Sequence, residues 1–205
     1  MEKIFAAITM VCMSIIFFSY YSYTTYKGRS QPPLSFSLII WAGVVISLIS
    51  FLASPEGNML TGITNLSDSV LCGLFVIVVF FFSKGTADQK IKKFERKYLV
   101  GVVIIILFWI ITNNATITNI VTQILLIYGY APMIEKIVTE KEKTESEKTW
   151  FLSLIVCLCS LWPASLGNGF LPYLYSGRAI VMVSLIIFLI HKHELKRQNL
   201  SKSQV

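Results

Sequence analysis

The chain has 205 residues, 55% of them hydrophobic and only 14% charged, with a formal net charge of +7. That balance excludes a soluble globular domain, which needs more charge to cover its surface, and the long apolar runs point to membrane spans. The positive excess does not mark a nucleic-acid binder, because the lysines sit in short loops between apolar runs, where a positive-inside membrane protein carries them.

A helix needs about 20 mostly apolar residues to cross a bilayer. Seven stretches qualify or nearly qualify: residues 4–26, 35–53, 67–83, 98–113, 117–138, 149–166 and 170–191. The first opens "MEKIFAAITMVCMSIIFF"; it is too long for a signal-peptide core and no small-residue cleavage site follows, so it is read as a span. Every Lys and Arg except Lys3 and Arg178 falls in the loops after spans one, three and five or in the tail. The intervening loops, "SPEGNMLTGITN" and "NNATIT", carry none. The alternation predicts a multi-pass protein of the cell membrane with its N-terminus outside and its C-terminus in the cytoplasm, and it supports the count of seven, since a missed span would scramble it.

The loop "TEKEKTESEK" mixes both signs and reads as a solvated inner loop or a helix extension. The tail "HKHELKRQNLSKSQV" is expected on the anionic inner leaflet or partly disordered. His191 and His193 are two apart and do not face one another on a helix, so no metal site is expected there. Cys12, Cys72, Cys157 and Cys159 lie inside apolar runs without metal or disulfide spacing, and read as small apolar side chains.

The fifth span superposes on the first. "YGYAPMIEK" falls on "SYYSYTTYK", with Tyr130 over Tyr21, Pro132 over Tyr23 and Lys136 over Lys27. "TWFL" (149–152) falls on "SFSL" (35–38), and the third and seventh spans both end in an aromatic–aliphatic run and a lysine. Spans one to three therefore read as a weak copy of five to seven. Span four is the connector that makes the copies parallel. The implied organisation is a first repeat at 1–84, a linker with the fourth helix at 85–115, a second repeat at 116–192 and a basic tail at 193–205.

With that 3+1+3 layout, the stretch "QILLIYGYAPMIEKIVTEKEKTESEKTWFLSLIVCLCSLW" (123–162) resembles a repeat of the SWEET and PQ-loop superfamily of membrane transporters, which includes SemiSWEETs and PnuC-type carriers. "YSYTTYKGRSQPPLSFSLIIW" (21–41) is a more degenerate copy: Met133 and Thr24 stand where the family has glutamine, and Tyr23 stands where it has proline. The resemblance implies an all-α integral membrane fold of seven helices. It also implies alternating access between the repeats, with Pro132 and Tyr130 at an inner gate.

Charged groups inside spans are costly and tend to be functional. Two are present, Asp68 in span three and Arg178 in span seven. Aligning those spans on Lys84 and Lys192 brings Asp68 opposite Ser176, close to Arg178. An Asp68–Arg178 ion pair closing the outer side of a cavity is therefore expected, with Tyr173 or Tyr175 as its aromatic part. The alternative is that Asp68 caps its helix while Arg178 snorkels to headgroups. An ion-paired Asp68 would stay charged, which favours passive uniport.

Trp41, Gln123, Asn119 and Ser14 are the expected substrate contacts. Trp41 takes that role from the resemblance, in which a tryptophan of each repeat's second span flanks the substrate; Gln123 equally suits a helix–helix hydrogen bond. No HExxH, GxSxG or phosphate-binding glycine loop is present, so neither an enzyme nor a cofactor is expected. The expected function is transport of a small polar solute, such as a sugar or a vitamin- or nucleoside-like metabolite, with homo-oligomers conceivable. The rivals are a non-transporting receptor or assembly subunit of the same fold, and an enzyme acting on lipids.

Overall fold

The computed structural model describes residues 1–83, 110–139, 145–167 and 169–202, with residues 100, 103–104 and 107–108. All its elements are helices: α1 (Glu2–Tyr26), α2 (Leu34–Leu52), α3 (Ile63–Phe82), α4 (Ala115–Gly129), α5 (Ala131–Thr139), α6 (Glu147–Cys159), α7 (Leu161–Ser165) and α8 (Leu171–Lys202). They supply six segments long and apolar enough to cross a membrane: α1, α2, α3, Ala115–Thr139, Glu147–Ser165 and Leu171–Leu195. These are the segments of a multi-pass membrane protein. Their outer faces carry large exposed apolar side chains such as Phe5, Leu74, Phe81, Val181 and Phe188, which lipid accepts and water does not. Of the expected fourth span, 98–113, residues 100, 103–104, 107–108 and 110–113 are described, and all of these but Asn113 are helical.

Two boundaries differ from expectation. The third span starts four residues earlier, because Gly62 is the N-cap of α3; Asp68 lies in the helix body and caps nothing. The tail is not shed from the last helix, since α8 continues to Lys202.

Two spans are broken, each by a proline. Proline has no N–H for the carbonyl four residues back, and its ring crowds that carbonyl. Pro132 therefore withholds a bond from Tyr128, and the chain breaks at Tyr130 (φ −77°, ψ −12°) between α4 and α5. Pro163 does the same to Cys159, and the break falls at Ser160 between α6 and α7. The Ser160 hydroxyl donates to the Cys157 carbonyl at 2.6 Å, occupying an acceptor freed nearby. α1 and α2 carry no internal proline and run unbroken.

α3 packs on both α1 and α2, and α8 packs on both α4–α5 and α6–α7. Across these two groups, α1 packs on α6 and α2 packs on α4. At the α2–α4 contact a Cβ on Gly43 would stand 2.5 Å from Leu126 Cδ2, so any larger residue requires the Leu126 side chain to move. One turn away Ser47 is a buried hub. Asn119 Nδ2 donates to its carbonyl at 2.7 Å, Gln123 Nε2 donates to its hydroxyl at 2.9 Å, and the Asn65 amide meets the same hydroxyl at 3.0 Å.

The end of the bundle carrying Lys27, Lys136 and Lys148 is called here the basic end, and the opposite one the distal end. At the basic end Ser83 Oγ donates to the Pro32 carbonyl (3.0 Å) and the Ser146 N–H donates to Ser30 Oγ (3.2 Å). At the distal end the Glu56 carboxylate accepts from the Leu171 N–H at 2.9 Å, a negative charge on the first turn of α8.

Candidate functional site

A cavity of about 100 Å³ lies among α1, α2, α3, α6 and α8. Helical spacing decides which side chains reach it. α3 offers Thr64, Asp68, Cys72 and Phe75; α6 offers Trp150, Ser153, Cys157 and Ser160; α8 offers Tyr175, Arg178, Ala179 and Val183. The α3 and α6 sets recur every three or four residues, and in α8 Tyr175, Ala179 and Val183 recur every four with Arg178 beside them, so each forms one stripe. Tyr130 joins the wall from the break between α4 and α5.

Near the distal end the wall is charged. Tyr175 Oη donates to Asp68 Oδ2 at 2.7 Å, and the Arg178 guanidinium stands over the Tyr175 ring, 5.0 Å from its centroid. Arg178 is only 8% exposed, and its Nε has no hydrogen-bond partner among the described residues. Sequence reasoning brought Asp68 and Arg178 to the same place, but the direct ion pair it expected is not among the contacts of the described residues; Tyr175 lies between them. A hydroxyl on the anion and a π face on the cation partly offset the desolvation of both charges. Ser160 Oγ and Ser176 Oγ, 2.8 Å apart, continue this polar patch.

Near the basic end the wall is aromatic. Tyr21 of α1 meets Trp150 of α6 edge to face, centroids 6.0 Å apart, and Tyr130 meets Phe36 of α2 at 5.5 Å. Phe36 and Trp150 meet at 6.4 Å and join the two pairs. All four side chains are buried and line the cavity on this side.

Directly behind them sits Glu145, 1% exposed. Its Oε2 accepts from Tyr21 Oη and from Trp150 Nε1, each at 3.2 Å. Its Oε1 is buried without a hydrogen-bond partner among the described residues. Burial pushes this carboxyl up to about 7, against the opposing pull of the Trp150 and Tyr21 hydrogen bonds, the Lys136 charge and the Gln31 N–H. Lys136 itself is buried and donates to the Gln31 carbonyl. The loop expected to be solvated thus sends one glutamate into the protein.

The remaining expected residues fall elsewhere. Trp41 is 39% exposed on the outer side of the bundle, where its Nε1 donates to the Ser69 carbonyl at 3.1 Å and lies against Gly73. It is 100° round the helix from Ile40, which does face the cavity. Tyr173 is 41% exposed; two residues from Tyr175, it points to the opposite side of α8. Asn119 and Gln123 belong to the Ser47 hub, and Ser14 contacts Ser67 at 3.4 Å, so all three join helices away from the cavity wall. Pro132 is buried and places the break rather than lining the cavity. His191 Nδ1 lies 3.5 Å from the Glu147 carboxylate.

Sequence reasoning missed Glu145, Trp150, Phe36 and Tyr21 as a group. The signal was present: the superposition that set Tyr130 over Tyr21 also set Trp150 over Phe36, the four residues that meet at the basic end.

Comparison with known proteins gives no match among family models, curated proteins or solved structures.

Proposed function

We propose that this chain is a membrane transporter that passes a small polar solute through the central cavity by alternating access. The observation that carries the reading is the cavity itself: it reaches from a charged patch to an aromatic wall, and the wall is built from two helix pairs that cross between the halves. An assembly subunit has no need of a cavity with a charged patch at one end and an aromatic wall at the other. In this reading residues 1–84 and 116–192 are two repeats related by an axis along the membrane normal, with 85–115 as connector. Packing supports it, since exchanging the halves carries α1 on α6 into α4 on α2 and leaves α3 and α8 each against two neighbours of its own half. This is the arrangement that the resemblance to the SWEET and PQ-loop superfamily implies.

The basic end is cytoplasmic by the charge rule, so Tyr21, Phe36, Tyr130 and Trp150 form the inner gate. Opening requires the Tyr21–Trp150 and Phe36–Tyr130 contacts to part, and the break ahead of Pro132 supplies a hinge beside Tyr130.

Reconstitution of the full chain in liposomes tests this. Saturable uptake of a member of a panel of labelled sugars, nucleosides and amino acids is expected. A Phe36→Cys/Trp150→Cys disulfide in a background lacking the native cysteines is expected to stop uptake reversibly. Binding without uptake for every panel member would favour the receptor reading.

A further inference from the structure

We propose that the cavity binds a small amphoteric solute, its carboxylate on the Arg178 guanidinium, its ammonium group on Asp68, and an apolar side group against the aromatic wall. This deepens the carrier reading and rests on it for the transport step, though not for the binding step.

Two opposite charges face the cavity without touching each other. Asp68 and Arg178 line one cavity, yet no ion-pair contact joins them among the described residues. Tyr175 occupies the space between, with its hydroxyl on the acid and its ring under the base. Asp68 Oδ1 has no partner among the described residues. The guanidinium makes no hydrogen bond or ion pair with any of them, although Arg178 is more than nine-tenths buried. A buried cation with unused donors is costly to maintain, because the Tyr175 ring and a carboxylate beyond contact distance offset only part of its desolvation. Within a membrane that cost marks a group waiting for a ligand.

Charge then selects the ligand. A lone carboxylate would satisfy Arg178 but face the Asp68 anion across one ring, and a lone ammonium would meet the mirror difficulty. At short range in a poorly solvated site each like-charge approach is strongly disfavoured. A neutral solute leaves both charges without counter-charges. An amphoteric solute meets both, and the loaded site, like the empty one, has no net charge. The rest of the wall sets the remaining group: Ile40, Phe75, Val183 and Cys72 are apolar, and the volume of about 100 Å³ admits only a small molecule.

The full chain in proteoliposomes, with binding and uptake read on the same preparation, tests the assignment. Labelled L-leucine is the probe; 4-methylpentanoate, 3-methylbutylamine, D-glucose and thymidine are the competitors. L-Leucine is expected to bind, and the two singly charged analogues to compete at least about tenfold more weakly than unlabelled leucine. Arg178→Gln and Asp68→Asn should each weaken leucine binding by about tenfold or more, with Arg178→Lys intermediate. If either neutral variant does not fold, as judged by size exclusion, the analogue competition in the unaltered protein decides. Displacement of leucine by either analogue as effectively as by leucine itself overturns the assignment, as does undiminished leucine binding in the folded variants. Uptake of glucose or thymidine with no leucine binding overturns it while leaving the carrier reading intact. Leucine binding without uptake leaves the site standing and overturns the carrier reading. No binding of leucine at any concentration overturns the assignment outright.

Discussion

Tyr21 and Trp150 meet edge to face and donate to the same oxygen of Glu145, so a pair of rings at the end of the cavity is held by one buried carboxylate. Both donors favour the charged form, while burial favours the neutral form and outweighs them. The sign of the pH dependence follows. The folded-state value near 7 lies above the ordinary 4.5, so the folded protein holds a proton here that the unfolded chain has released. The stability from this group is full below about pH 4.5 and is lost as pH rises through about 7. Thermal unfolding of the purified protein across that window should show this slope, and Glu145→Gln should flatten it. Parallel pH profiles for the two proteins would remove Glu145 as the source.

Tyr175→Phe keeps the ring under Arg178 and deletes the hydroxyl on Asp68. Leaving a buried carboxylate without its donor costs about 1–3 kcal/mol, so a lower melting temperature is expected. Tyr175→Leu, which also removes the cation–π contact, should melt lower still. Equal melting of Tyr175→Phe and the unaltered protein would show that water replaces the hydroxyl without loss.

Gln123 and Ser47 share a side-chain hydrogen bond, and their effects should not add. Each alanine variant is expected to lose about 1 kcal/mol, near the range measured for hydrogen bonds between membrane helices. The double variant should lose less than the sum, because the second substitution removes a partner already gone. Strict additivity in a denaturation cycle would count against the hub.

Gly43→Ala pushes a methyl group toward Leu126 and should destabilise the α2–α4 contact by about 1–3 kcal/mol. Leu126→Ala alone also destabilises, by leaving a cavity. The two together should recover part of the loss, measured as a rise in melting temperature over Gly43→Ala. The absence of any recovery would mean that Leu126 side-chain rotation already absorbs the added methyl.

Pro132→Ala returns an N–H to the Tyr128 carbonyl and should close the break at Tyr130. Uptake is expected to slow while the melting temperature holds or rises, since a hinge is lost and a hydrogen bond gained. Unchanged uptake together with unchanged melting would remove the hinge from the mechanism.

Which parts of this were legible in the chain follows from the range of the forces involved. Apolar runs are a local property, so four of the six segments begin and end within two residues of expectation, and the two misplacements have identifiable causes: the Gly62 cap at α3 and the helical tail of α8. Asp68 and Arg178 stood out as candidates because a charge inside an apolar run is itself a local anomaly, and they share one cavity wall. The choice of Tyr175 over Tyr173, and of Ile40 over Trp41, needed the rotation of each helix about its axis. That rotation is set by the neighbours against which the helix packs, and an all-round apolar helix leaves it unmarked in the sequence.

Glu145 shows the same division most sharply. In the sequence it is one glutamate in a run of mixed charge, indistinguishable from its neighbours and consistent with a solvated loop. The chain by itself determined that apolar helices long enough for a membrane would form, that prolines would break two of the spans, and that two charges would lie within them, because hydropathy and backbone chemistry act over a few residues. Only the tertiary structure decided that Tyr175 parts those two charges and that Glu145 turns inward. Both outcomes depend on side chains more than a hundred residues apart arriving at contact distance.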